Sequence, residues 1–390
     1  PQEVEPDPIA KLEAFLQRND LDRTMRYQAM FRLAVLHDDR VKEGRMADVL
    51  PAATLYMQII RDFPESDVAI PSHYLLAYDL TTLLRMKEAQ HVFRVLVCHN
   101  HFSLVWSTEK DPAIVVPPMP QEHDRAYWHE WELKHPVPLD KLPKKQRAAA
   151  GEETTFVNPY PQDCKPLLMP KLPGQVPRYV ADSWWHIGDE HFSQINAPSG
   201  PYELNLAAIA YRNAIRHGET PLRNYAMYKL GWTYFKQQRY AAAVAQFVEY
   251  LRYDEAHPEI SPGRLVTKDL RWEAATYIAI SLLFVDFAGP APDDPYVPRE
   301  DLFDTEQDRR IAEKNAHVAI DRVKDPRIIP QNETWTPTIY MELFRQFRDM
   351  LQYRNQIEIG ELFLSKWPDD TRGEEIRQSI ALARTRLGKP

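Results

Sequence analysis

The chain has 390 residues, enough for two or three globular domains or one repeat array. Its hydrophobic share of 44% is that of a globular protein, so wholesale disorder is not expected. Glycine is scarce (12 residues) and proline abundant (33 residues), against usual shares of about 7% and 5%. That balance disfavours glycine-rich nucleotide-binding architectures and many-turned β sandwiches. A formal charge of −8 gives no electrostatic reason to expect a nucleic-acid or anionic-membrane binder.

Cys98 and Cys164 are too few for a multi-bridge framework or a four-cysteine zinc site. A disulfide between them is arithmetically possible, but no spacing rule supports it. The expectation is two free thiols, with the redox compartment left open. No stretch reaches the roughly 20 apolar residues that a membrane helix needs; the longest candidate, 274–287, carries Asp286. The sequence begins at Pro1 without a charged-then-apolar leader, as either a processed secretory protein or a trimmed chain would.

From the N-terminus, Ala52, Tyr56, Ile59 and Pro64 follow a first helix around Met30, Leu33 and Ala34 that lies about six residues too far upstream and needs a long turn. Leu76 and Ala77 precede Ala89, Phe93 and Leu96. Trp184, Ile187 and Gly188 precede Ala207, Tyr211 and Ala214, with a loop by composition at 196–201 between them. The clearest unit begins at Asn224. Met227, Leu230, Gly231, Tyr234, Ala243 and Phe247 occupy its places 4, 7, 8, 11, 20 and 24, and the polar Lys236-Gln237-Gln238-Arg239 forms its turn. A weaker unit starts near Asp269 with Trp272 and Tyr277, its second helix expected within 308–323. Tyr340, Leu343, Phe347, Phe363 and Pro368 mark another, in which Phe344 replaces the small eighth residue and helix packing must differ. A charged amphipathic helix over 372–387 would cap the series.

This spacing resembles the tetratricopeptide repeat, a pair of antiparallel helices of about 34 residues. The resemblance implies an all-α fold, a right-handed α-solenoid of five or six helix pairs with one long proline-rich insertion. The expected divisions are 9–102 (N-terminal helix pairs), 103–178 (insertion), 179–257 (central units) and 258–388 (C-terminal units and capping helix). The insertion holds 13 of the 33 prolines, which excludes long helices from it. Only 121–134, with Tyr127, Trp128 and Trp131, is helix-compatible. Those aromatics set it apart from a plain linker, so it is expected to pack on the repeats or on a partner. Residues 289–298 read as a surface loop.

Chemistry is sparsely signalled. No P-loop, G-x-G-x-x-G, G-x-S-x-G or kinase pattern occurs. Cys98-His99-Asn100-His101 could offer metal ligands but lacks a second cluster at zinc spacing. His186 and His191, five apart, turn onto different helix faces, and His123, His129 and His135 share none. Asp189-Glu190 and Asp369-Asp370 stand without a catalytic constellation. The expectation is no catalysis, no metal and no cofactor.

In the family that the spacing resembles, places 2, 5, 9, 12 and 13 line a concave groove. Carried over, they are Asp182, Trp185, Asp189, Phe192 and Ser193 in one unit. In the next they are Tyr225, Tyr228, Trp232, Phe235 and Lys236, with Tyr74, Tyr78 and Tyr277 offered by others. The Lys, Asn and Arg clamp by which some relatives hold a terminal carboxylate is absent from these two units. The candidate partner-binding residues are therefore Trp185, Phe192, Tyr225, Tyr228, Trp232 and Phe235, aromatic anchors of the kind interfaces use. Lys229 and Lys236 lie near them and could steer an acidic partner. The alternative assignment of the same aromatics is inter-repeat core, or a groove already covered by the insertion. The function expected is a protein–protein scaffold for a peptide or protein partner, in a bacterial cell-envelope complex for secretion, assembly or motility. A cytosolic regulator whose superhelix changes shape on binding a peptide is the alternative, and a hydrolase sited in the insertion is a third. A periplasmic location is slightly favoured over a cytoplasmic one.

Overall fold

The computed structural model describes residues 7–107, 113–117, 158–167, 178–196, 200–218, 220–258, 270–284, 287–288 and 316–388. The helix-compatible stretch 121–134 and the loop 289–298 lie outside them. The described residues are mostly helical. They fall into two compact units, one drawn from 1–123, 157–190 and 213–220, the other from 124–156, 191–212 and 221–390.

In the first unit the helices are α1 (Pro8–Leu16), α2 (Arg23–Lys42), α3 (Val49–Asp62), α4 (Ala69–Thr82) and α5 (Met86–Val97). Each packs on the next in chain order. Asp7 and Asp22 cap α1 and α2, their carboxylates accepting from the amides of Ile9 and Met25. Helix α6 (Arg178–Ser193) supplies this unit with its residues up to Glu190, and α7 (Gly200–Arg216) supplies its residues from Asn213. The second unit contains the remainder of α6 and α7. It continues through α8 (Arg223–Lys236), α9 (Tyr240–Ala256), α10 (Leu270–Leu282), α11 (316–324), α12 (Thr336–Asp349), α13 (Tyr353–Lys366) and α14 (Gly373–Leu387).

One turn recurs through both units. After α2, α4, α8 and α12 a single residue adopts positive φ: Gly44 (95°), Leu84 (60°), Gln238 (59°) and Leu351 (59°). The next amide then reaches back to close the helix: Arg45 N to Arg40 O (2.9 Å), Arg85 N to Leu80 O (2.8 Å), Arg239 N to Tyr234 O (2.9 Å) and Gln352 N to Phe347 O (2.8 Å). This is the Schellman closure, which satisfies the last carbonyls of a helix with a left-handed residue. After Gly44 a 3-10 turn, Met46–Asp48, precedes α3; this is the long turn that the upstream spacing requires. The α3–α4 and α13–α14 connections also match. Phe63 N reaches Ile59 O and Ser66 N reaches Phe63 O, as Trp367 N reaches Phe363 O and Asp370 N reaches Trp367 O. Pro64 and Pro368 sit just past each helix end, where proline stops a helix.

Cys98 and Cys164 form a disulfide, with their Cα atoms 4.5 Å apart. The expectation of two free thiols is thus overturned. The reason is local pairing that spacing does not encode. In the last turn of α5, Leu96 O accepts from Leu167 N (2.9 Å), and just past the helix His99 N donates to Lys165 O (3.0 Å). Asn100 accepts from Lys165 N (2.7 Å) and donates to Asp163 O (3.1 Å). The run Cys98-His99-Asn100-His101 therefore anchors residues 163–167, with His101 Nε2 2.8 Å from Asp163 Oδ1. Tyr160 in the same segment is buried with its ring edge-on to Trp184 at 5.0 Å. At the other side Val105–Trp106 pairs antiparallel with Ile114–Val115.

Candidate partner-binding site

The α8–α9 hairpin is built around Gly231. A Cβ there would lie 2.6 Å from the Phe247 ring, so only glycine lets the helices approach this closely. Asn224 at the start of α8 donates to Asp254 near the end of α9 (2.9 Å, both buried), which fixes the register of the pair.

The hairpin sets α8's aromatics at two depths. Tyr228 is 6% exposed. Its ring packs on Phe247 and Tyr250 at 6.1 and 5.7 Å, and its hydroxyl lies within hydrogen-bonding reach of Trp232 and Glu273. Burial pushes that hydroxyl's pKa well above the ordinary phenol value. Tyr225, Trp232 and Phe235 are only half-buried. Trp232 lies against Tyr277 of α10, ring centroids 4.0 Å apart. Phe235 meets the same Tyr277 edge-on at 4.9 Å, and Tyr240 stacks on Phe284 at 3.9 Å. Part of the Trp232 and Phe235 rings is thus spent on α10, while both residues stay half-exposed.

Residues 225, 229, 232 and 236 form one stripe along α8, at steps of four, three and four. It alternates aromatic and cation: Tyr225, Lys229, Trp232, Lys236. The Lys229 ammonium sits 4.6 Å from the centre of the Phe192 ring, and that of exposed Lys236 sits 5.8 Å from the Trp232 ring. Both are within cation–π range. Phe192 is half-buried and also faces Tyr211 at 6.4 Å.

Trp185 belongs to the first unit, half-buried and edge-on to His186 at 4.9 Å. His186, which spacing alone marked only as an unlikely ligand, is the hub of that region. It stacks on Phe93 at 4.8 Å and meets Tyr74 at 6.0 Å and Tyr78 at 6.3 Å. Tyr78 is 55% exposed. Burial drives the His186 pKa down to about 4, so the ring is neutral at pH 7. Its role could have been suspected from the aromatics at 74, 78 and 93, but only the packing of α4 and α5 brings them to it. Of the other groove positions, Asp182 is buried, and burial raises its pKa. Asp189 is half-buried and Ser193 exposed.

Among the described residues no group of three or more His, Cys, Asp or Glu is placed to hold a metal ion. No described helix is long and apolar enough to cross a membrane.

Residues 225–254 match the tetratricopeptide repeat family, a span that runs from Tyr225 of α8 to Asp254 of α9. No curated protein matches the chain. With its glycine-spaced hairpin and Schellman turn, the α8–α9 pair is a tetratricopeptide repeat.

Proposed function

We propose that the chain is a non-catalytic scaffold that holds a peptide or protein partner on half-exposed aromatics, and that it is built of five or six tetratricopeptide-like helix pairs. The observation that carries this is the α8 stripe on an identified repeat. Tyr225 and Trp232 keep outward ring surface, Lys236 extends beyond them, and the buried Tyr228 holds the Trp232 indole from beneath. Large rings fixed by a rigid helix pair bury much area at little rotamer cost, which is what an interface anchor requires. Phe192 and Phe235 extend the surface on the same unit, and Trp185 is a further aromatic contact on the other unit. The working division is 9–102, 103–178, 179–257 and 258–388, with the insertion between the first helix pairs and the central units.

The reading extends to a place in a bacterial cell-envelope complex. The Cys98–Cys164 disulfide supports it, because such bonds persist in oxidising compartments and are rare in the cytosol.

The test compares capture of partners from the native source by the wild-type chain and by a Phe192→Ala, Tyr225→Ala, Trp232→Ala variant. Circular dichroism first establishes that helix content and melting are kept. Loss of a partner by the folded variant is the expected result; equal capture by both chains would place binding elsewhere.

A further inference from the structure

Three helices of the first unit meet at a pair of acids, one buried and one half-buried. Asp38 lies on α2 and Asp79 on α4, and their carboxyl groups are within hydrogen-bonding reach of each other. Asp79 is 4% exposed. Tyr56, on α3 between them, is fully buried, and its hydroxyl donates to Asp38 Oδ2 at 2.7 Å. Asp38 Oδ1 and Asp79 Oδ2 are buried and accept from no donor of the protein.

An ionised carboxylate only accepts, so two of them facing each other leave both inner oxygens unpaired and the two charges in repulsion. Buried unpaired acceptors and like charges each cost stability in a low-dielectric interior. The surrounding charges do not relieve this. Lys42, on α2, attracts Asp38, but its ammonium is 2.7 Å from Asp39 and Asp39 opposes it. Tyr56 is the titratable group that α3 presents, and its single proton already goes to Asp38 Oδ2. Helix α5, the other helix packed on α4, adds no charged group to those acting on Asp79. One carboxyl proton resolves all of it: one acid donates, the other accepts, and one negative charge remains.

We propose that Asp38 and Asp79 hold one proton between them at neutral pH, and that this shared proton is a pH-sensitive latch closing α2 and α4 over α3. Burial pushes Asp79 up to about 8 and raises Asp38 as well; the pair titrates as a unit. Loss of the proton in mildly alkaline solution puts a second charge into the junction, and the two helices part there first.

The sign of the effect is fixed by linkage. The folded pair binds its proton more tightly than the unfolded chain does. The proton-linked stability is therefore complete below the ordinary carboxylate range and declines as pH rises toward 8. The decline reaches at most about tenfold in the folding equilibrium per pH unit.

Two measurements test the latch on the full-length chain. In infrared difference spectra of protein labelled with 4-13C-aspartate, an isotope-shifted neutral carboxylic acid band should persist at pH 7 and vanish with a midpoint near 8. It should be missing from Asp79→Asn, whose amide donates permanently to Asp38. Hydrogen exchange across 38–79 should accelerate between pH 7 and 9 in wild type beyond the acceleration seen in Asp79→Asn at the same pH values, with 353–387 as internal control. A wild-type spectrum with every aspartate ionised at pH 7 overturns the proposal, and it does so even if the variant does not fold. Equal acceleration in the two chains overturns the latch.

Discussion

Gly360 of α13 is to Phe344 of α12 what Gly231 is to Phe247. A Cβ on Gly360 would lie 2.9 Å from the Phe344 ring, and one on Gly231 would lie 2.6 Å from the Phe247 ring. The sequence separation is the same in both pairs, but small and large have changed places between first and second helix. The volume at the hairpin's narrowest point is thus conserved while its source is exchanged.

Alanine at either glycine should destabilise the chain. In a helix the change from glycine would by itself gain about 1 kcal/mol, but forcing a methyl into the ring costs about 1–3 kcal/mol or more. At Gly360 it would also meet Ile380 at 2.8 Å, so the loss should win. Urea unfolding of Gly231→Ala and Gly360→Ala should show lowered midpoints. Adding Phe344→Leu to Gly360→Ala should recover part of the loss, whereas adding it to Gly231→Ala should not.

Leu84 and Leu351 occupy the left-handed turn position that Gly44 fills elsewhere. A non-glycine residue there costs about 1–2 kcal/mol, and both side chains are out in solvent, at 84% and 61% exposed. Leu84→Gly and Leu351→Gly should therefore raise stability by about 0.5–1 kcal/mol after the entropy that glycine adds to the unfolded chain. A melting temperature unchanged or lowered in both variants would contradict the strained-turn account.

The disulfide closes a 66-residue separation, for which chain entropy alone predicts about 4 kcal/mol. Cys98→Ser or reduction should lower thermal stability and expose 160–167 to proteolysis and hydrogen exchange. Helices α8 and α9 should keep their protection. Uniform loss across the chain would mean that the bond holds more than the segment it joins.

Acid should destabilise the first unit through its buried histidines. Burial depresses both His73 and His186 to about 4, so the unfolded chain takes up their protons first as pH falls. The stability these two rings contribute should be intact above about 6.5 and decline between there and 4, opposite in sign to the contribution of the Asp38–Asp79 pair over that range. His186→Phe keeps the stack on Phe93 and should flatten that limb; an unchanged acid limb would mean that the ring is already solvated.

How far the sequence was legible varies with the kind of information each feature needs. The α8–α9 hairpin was readable because Gly231, Ala243 and Phe247 stand at family spacing. The compensation of Phe344 by Gly360 was not, since family spacing assigns each place singly and does not encode the partner across the hairpin. The polar turn 236–239 announced itself by composition. Leu84 and Leu351 did not, because leucine carries no turn signal and the left-handed conformation is imposed by the closing hydrogen bonds. Cys98 and Cys164 meet through backbone pairing that no cysteine count encodes. Of the α8 aromatics, the spacing placed the four candidates, Tyr225, Tyr228, Trp232 and Phe235, on the helix. That Tyr228 lies at 6% exposure beneath a half-open Trp232 depends on Tyr250 and Tyr277, residues of two other helices.

The central claim is that α8 presents a partner-binding surface, and a photo-crosslinking amino acid tests it most directly. It would replace Tyr225 on the stripe in one chain and exposed Glu249 of α9 in another, each irradiated in its native setting. The account predicts a discrete protein adduct from position 225 that position 249 does not give, lost when Trp232→Ala is added. No adduct at 225, or the same adducts from both positions, would contradict it.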